Sequence, residues 1–204
     1  MANTQCNQTD TICPDNCEDQ QLPTVNFDDC SPELNESEIE WIAVSRSDAE
    51  DFTDVEDVDE WTARINQAAA TPAPSPDNSI RMLRVIGDKP APEITNRTVS
   101  GGRIVQTAKN HTLNIEVDET NALNYEFARS TGCNATYKLW YITKAGLVYG
   151  GTCGLSAQLI LNLVQARGDG EIELYQGTVT WQDKIDPPRA NFPLAGTTNF
   201  ASES

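Results

Sequence analysis

The chain has 204 residues, of which 31 are acidic and 14 are basic, so its formal net charge is −17. This length allows one well-packed core with an arm, or two small domains. Residues 1–60 contain 18 of the acids and a single base, Arg46, so they carry the whole net charge and residues 61–204 are neutral. Such an acidic segment repels nucleic-acid phosphates and anionic membrane surfaces. We therefore expect neither sequence-specific nucleic-acid binding nor membrane binding.

The N-terminus and the hydropathy of the chain bear on where the protein is made. No stretch approaches the roughly 20 apolar residues that a membrane helix needs. The first residues, Met1 to Cys6, contain neither a basic region nor an apolar region, so they predict no secretory signal. We expect synthesis in the cytoplasm.

Residues 1–37 are predicted to form an extended acidic arm, because they are rich in Asn, Gln, Asp and Pro and contain few apolar residues. Four of the six cysteines lie in this arm: Cys6, Cys13, Cys17 and Cys30. Clustered thiolates can bind zinc, but this spacing lacks paired C-x2-C knuckles. Zinc binding, disulfides formed after synthesis and unmodified thiols remain alternatives for these four residues.

Residues 38–79 are predicted to contain a strand, a capped helix and a Pro-rich connector that pack on the body of the protein. The strand begins at Glu38, where the first run of packable residues starts. Thr53 and Glu56 match the capping-box signature of a helix N-terminus. Apolar residues then recur at helical spacing, namely Val55, Val58, Trp61, Ile65 and Ala69. Residues 70–78 contain three prolines and form the connector.

Residues 80–192 are predicted to form a β-rich body, and residues 193–204 a loose C-terminal tail. Leu113, Ile115 and Val117 alternate with polar residues, which is typical of a half-buried strand. Further strands are predicted at residues 81–86, 137–143, 147–150, 155–164 and 171–181, and a second helix at 118–130. The chain is therefore mainly β with one or two helices, an α+β protein.

The body contains two cysteines, Cys133 and Cys153, which flank the predicted hairpin of residues 137–150 almost symmetrically. This placement could make them cross-strand neighbours that form a disulfide. Two buried thiols explain the same pattern equally well.

The sequence contains no recognisable catalytic motif. His111 is the only histidine, and it is predicted to be a surface residue at the start of the alternating strand. Phosphate-binding loops, dinucleotide-binding glycine motifs and nucleophile elbows are all missing from the sequence. We therefore predict a protein that is not an enzyme, with no catalytic, cofactor-binding or metal residues beyond the arm cysteines, and with no cofactor.

The order of motifs in residues 80–192 nevertheless resembles a known class of proteins. The run 86–90 (Ile-Gly-Asp-Lys-Pro) is followed by Ser-Gly-Gly at 100–102 before a long strand, and by Asp-Glu-Thr-Asn at 118–121 before Asn-Tyr-Glu-Phe at 124–127. Leu-Trp-Tyr at 139–141 and Gly-Leu-Val-Tyr-Gly-Gly at 146–151 complete the pattern. This succession is similar to bacteriophage virion structural proteins, and most similar to the tail-tube proteins of long-tailed phages.

The resemblance implies an antiparallel β-sandwich with a flanking helix, to which the acidic N-terminal arm is attached. It also implies a homo-oligomer of stacked rings that form a conduit for DNA, located in the virion together with other virion proteins and synthesised in the host cytoplasm. Two alternatives are a capsid decoration (cement) protein and a surface adhesin-like binding module. No catalytic residue is transferred by the resemblance.

Overall fold

The computed structural model describes residues 34–67, 77–133, 135–168, 170, 172–197 and 200. Over these residues the chain forms nine strands and two helices. In chain order they are β1 (Ile39–Arg46), α1 (Val58–Gln67), β2 (Arg81–Asp88), β3 (Glu93–Thr98), β4 (Ile104–Val117), α2 (Ala122–Thr131), β5 (Thr136–Thr143), β6 (Leu147–Tyr149), β7 (Leu155–Gln165), β8 (Glu173–Asp183) and β9 (Arg189–Asn191).

Six of the strands close into an antiparallel barrel, so the predicted β-sandwich is wrong. The strands follow the order β1–β2–β4–β8–β7–β5, and β1 also pairs with β5, which completes the ring. Ile42 shows the closure, because it lies opposite Leu83 of β2 on one side and Tyr141 of β5 on the other. A sandwich would need two separate sheets, whereas here one sheet encloses its own core.

The barrel interior is filled by alternate residues of each strand. On β4 the inward positions are Leu113, Ile115 and Val117, all fully buried. These belong to one hydrophobic cluster with residues of the other five strands, including Ile42, Val44, Leu83, Val85, Leu139, Leu159 and Val179. The described residues are mainly β with two helices, which agrees with the coarse part of the prediction, mainly β with one or two helices.

A second core lies outside the barrel wall, between α1 and the strands β1 and β5. Trp41 of β1 and Trp140 of β5 point away from the interior, and Trp61 of α1 packs against Trp140 with ring centroids 6.0 Å apart. The ring centroid of Phe52 lies 4.6 Å from that of Trp61 and 5.2 Å from that of Trp140. These two strands are therefore buried on both faces, which is why residues 39–45 and 139–143 are apolar almost without interruption.

The N-terminus of α1 differs from the predicted capping box. The carboxylate of Asp57 accepts hydrogen bonds from the backbone N–H groups of Asp59 and Glu60, so Asp57 takes the capping role. Glu60 reaches back to the N–H of Thr53, while Glu56 accepts from the N–H of Asn191. The acidic run thus fixes the helix start through several separate carboxylates.

The segment predicted to pack on the body, residues 38–79, contributes one of the barrel strands. Its strand β1 is one of the six barrel strands, whereas α1 packs outside the wall together with Phe52 and Val55. Most of the predicted connector, residues 70–76, lies outside the described residues. At the C-terminal end, where a loose tail is predicted, Phe200 packs edge-on against Trp41 at 4.8 Å. No helix in the described part of the chain has the length and apolar character needed to cross a membrane.

Candidate functional site

His111 is buried, which corrects the prediction that it lies on the surface. Only 1% of the residue is exposed. Its position on β4 has the same parity as Leu113, Ile115 and Val117, so the strand directs it into the barrel. The imidazole stacks on Trp181 of β8 with ring centroids 4.9 Å apart and planes 5° apart.

A polar cluster lies beside this ring at one end of the barrel. Asp186 pairs with Lys89 at 3.4 Å and with Lys109 at 3.3 Å. Its Oδ1 is 3.8 Å from Nδ1 of His111, which exceeds a hydrogen-bond distance. Burial works to raise the pKa of Asp186, but hydrogen bonds and charge from the two lysines prevail and hold it below the usual value. Asp186 is therefore ionised near neutral pH.

The same environment keeps His111 neutral. Burial lowers its pKa most, Lys89 lowers it further, and the charge of Asp186 opposes both. Neither ring nitrogen has a hydrogen-bond partner among the described residues.

A cavity of about 650 Å³ opens beside Asp186 at this end of the barrel. Its lining combines the stacked rings of Tyr141 and Tyr149, 4.7 Å apart, with Lys89 and the carboxylates of Glu36 and Glu38. The lining also contains the hydroxyl side chains of Ser37 and Thr143. Within the described residues, no group of three His, Cys, Asp or Glu side chains could hold a metal ion.

The two body cysteines do not pair with each other. Cys133 has a free, exposed thiol just after α2, whereas Cys153 is disulfide-bonded. Cys133 lies before β5 begins at Thr136, and Cys153 lies before β7 begins at Leu155, so neither cysteine is on the paired strands that the prediction required. The zinc candidates Cys6, Cys13, Cys17 and Cys30 lie outside the described residues.

The largest departure from a self-contained barrel is a projecting two-stranded ribbon, formed by β3 and residues 104–108 of β4. In the described part of the chain, these residues of β4 pair only with β3, and β3 pairs only with them and with residues 109–110. All six residues of β3 are exposed. The ribbon also presents apolar side chains to solvent, with Ile104 71%, Ile94 56% and Val105 47% exposed.

The tip of the ribbon is a tight turn at the Ser-Gly-Gly run of residues 100–102. The N–H of Val99 donates to the carbonyl of Arg103, and the N–H of Gly102 donates to the carbonyl of Val99. Gly101 and Gly102 both have positive φ, 84° and 73°, which favours glycine. β3 is not among the strands predicted from the sequence, because its polar residues and the preceding prolines Pro90 and Pro92 conceal it.

Comparison of the chain with protein-family models, with curated proteins and with solved structures found no match.

Proposed function

We propose that this protein is a non-enzymatic structural subunit that assembles with other copies of itself. Its specific role in this proposal is that of a tail-tube protein of a long-tailed phage. The observation that carries the proposal is the projecting ribbon. An isolated two-stranded hairpin is only marginally stable in water, and its open edges invite pairing with another chain. A ribbon that also exposes Ile94, Ile104 and Val105 gains most by burying these groups in an interface.

The remainder of the molecule supports a scaffold role. The closed barrel and the aromatic layer under α1 form a double core that can hold a projecting element rigidly. Strand pairing between copies would supply main-chain hydrogen bonds to the ribbon edge, and the apolar side chains would supply buried area. Repetition of one such contact between different surfaces produces a ring when the rotation between copies closes.

The tail-tube assignment has two further supports. The order of motifs in residues 80–192 is similar to that of tail-tube proteins, and a net charge of −17 suits a conduit that must not retain DNA. The structure contains a barrel where the resemblance implied a sandwich, so the resemblance supports the assembly role through element order alone. Ring formation by the chain distinguishes this role from a decoration protein, and a glycan-binding monomer would favour an adhesin.

Sedimentation velocity over a wide concentration range tests self-assembly. The wild-type chain should form oligomers as concentration rises, whereas the variant Ile94→Ser/Ile104→Ser should remain smaller, because it loses apolar area at the ribbon. The matched control is Leu123→Ser/Ile172→Ser, which removes two equally exposed apolar side chains outside the ribbon and should assemble normally. A wild-type chain that stays monomeric at every concentration and salt tested would refute the proposal.

A further inference from the structure

The tip of the ribbon carries an unbalanced positive charge. Arg97 and Arg103 flank the turn, both are exposed, and neither pairs with a carboxylate of the described residues. Glu93 is the only acid between residues 89 and 110, and it lies at the base of the ribbon rather than at its tip. The ribbon is therefore basic in a chain whose net charge is strongly negative.

Within the described residues, a cluster of the opposite charge lies at the start of α1. Asp54, Glu56, Asp57 and Asp59 are exposed there, and none of them pairs with a Lys or Arg of the described residues. We call these four residues the acidic face. Backbone N–H donors hold three of the carboxylates in place, at 2.9 Å for Asp54, 2.8 Å for Asp57 and 2.8 Å for Glu56. Each carboxylate keeps further acceptor positions for a cation.

The barrel topology keeps the ribbon and the acidic face of one molecule apart. The ribbon extends from β4, whereas α1 packs on the outer face of β1 and β5. In the ring order β1–β2–β4–β8–β7–β5, β4 is three strands from β5 and two from β1, so it is on the opposite wall. The ribbon and α1 therefore face different directions, and a contact between them joins two molecules.

We infer that the ribbon tip of one copy docks on the acidic face of the next copy, with Arg97 and Arg103 pairing with its carboxylates. The inference rests on the proposed function and names the two surfaces that would carry it. Because the two surfaces differ, the contact is heterologous, and its repetition closes into a ring or continues as a filament. The charges set the orientation of docking, while the exposed apolar residues of the ribbon supply buried area.

Charge reversal followed by charge exchange tests this contact. Arg97→Glu/Arg103→Glu should raise the concentration at which the chain assembles by about tenfold or more, because like charges then face each other. Asp54→Lys/Asp59→Lys should have a similar effect from the other surface. Mixing these two variants should restore assembly, since each supplies the complement of the other. Assembly of the wild type should also weaken as salt rises.

The matched control is Arg129→Glu/Arg167→Glu, which reverses two exposed bases in α2 and after β7, away from the ribbon. It should assemble like the wild type. Thermal melts check that every variant is folded. If Asp54→Lys/Asp59→Lys unfolds, the single variant Asp59→Lys takes its place. Normal assembly of Arg97→Glu/Arg103→Glu, or mixing without rescue, would overturn this inference and leave the proposed function intact. A monomeric wild type would instead refute the proposed function.

Discussion

His111 shows how one residue can combine burial with an ionisable group. The imidazole fills the barrel end by stacking on Trp181. The ring centroid of Trp181 in turn lies 6.3 Å from that of Tyr141. The lysine-bound carboxylate of Asp186 borders this aromatic layer on the solvent side. The imidazole therefore serves packing, and protonation would place a charge in an apolar layer beside two ammonium groups.

This environment predicts a pH-dependent stability. The pKa of His111 is lowered in the folded protein, chiefly by burial, whereas histidine in the unfolded chain titrates near its usual value of about 6.5. As pH falls below that value, the unfolded state binds more protons, so the folded state loses stability. The free energy of unfolding should fall more steeply for the wild type than for His111→Phe between about pH 8 and about pH 5.

Denaturant titrations at a series of pH values measure this difference. His111→Phe keeps a stacked ring against Trp181 but removes the titrating group. The charged groups around position 111, Lys89, Lys109, Asp183 and Asp186, are present in both proteins, so their own titration largely cancels in the comparison. Parallel pH profiles for the two proteins would contradict the prediction.

Gly177 on β8 is a position where any side chain would collide with the barrel. A Cβ atom there would lie 2.5 Å from Cδ2 of Leu161 and 2.6 Å from the carbonyl oxygen of Ile160. Gly177→Ala should therefore lower the free energy of unfolding by roughly 1–3 kcal/mol, as overpacking does. The control Gly132→Ala, with φ −66° and its nearest neighbour at 3.5 Å, should change it by less than about 0.5 kcal/mol. Equal free energies of unfolding for Gly177→Ala and the wild type in chemical denaturation would contradict the close approach of β7 to Gly177.

Several of these residue environments were readable from the sequence, and others were not. The parity of His111 with Leu113, Ile115 and Val117 was available in the alternating pattern and would have predicted burial. The stacking of His111 on Trp181 could not be predicted from the sequence, because it depends on the register between β4 and β8, in which His111 lies opposite Trp181. The cluster of Lys89, Lys109 and Asp186 likewise joins residues that are distant in sequence.

At the level of elements, the ribbon is the least self-sufficient part of the described chain. Its backbone hydrogen bonds join only two strands, and a register shift between Thr95 and Asn96 interrupts the ladder. Local opening should therefore require little free energy while the ribbon is uncovered.

Hydrogen exchange can follow this element directly. At low concentration, the amides of residues 94–107 should exchange much faster than those of Leu113 or Val179 inside the barrel. Assembly should slow exchange in the ribbon, because an interface covers its edges. The charge variant Arg97→Glu/Arg103→Glu at the same concentration serves as the control. Ribbon amides that are already protected in the monomer would contradict an unpartnered ribbon.

The sequence predicted long elements with clear periodicity and missed short or polar ones. The strand ending at Val117 and the helix ending near Thr131 were predicted close to their observed positions. β3 and β9 were missed, because β3 has little apolar content and β9 has only three residues. The cap of α1 was assigned to Thr53 because the capping-box motif matched there, although Asp57 occupies the observed cap position.

At the level of the whole molecule, barrel and sandwich differ in one set of strand pairings. Every strand of the ring could occur in either fold, and the pairing of β1 with both β2 and β5 decides the outcome. The sequence contains a hint, since residues 39–45 are buried on both faces and therefore lack alternation. Such a run cannot specify its two neighbours, because pairing partners are set by contacts distant in sequence.

The closed barrel leaves the ribbon as the main open β-structure of the described residues that is positioned to join copies.

Negative-stain electron microscopy of the purified wild-type chain, at concentrations where sedimentation detects oligomers, tests this central claim most directly. We predict rings of uniform diameter, some stacked into short tubes, and their loss in Arg97→Glu/Arg103→Glu. Fields that contain only separate particles of monomer size, at every concentration and salt tested, would contradict the claim.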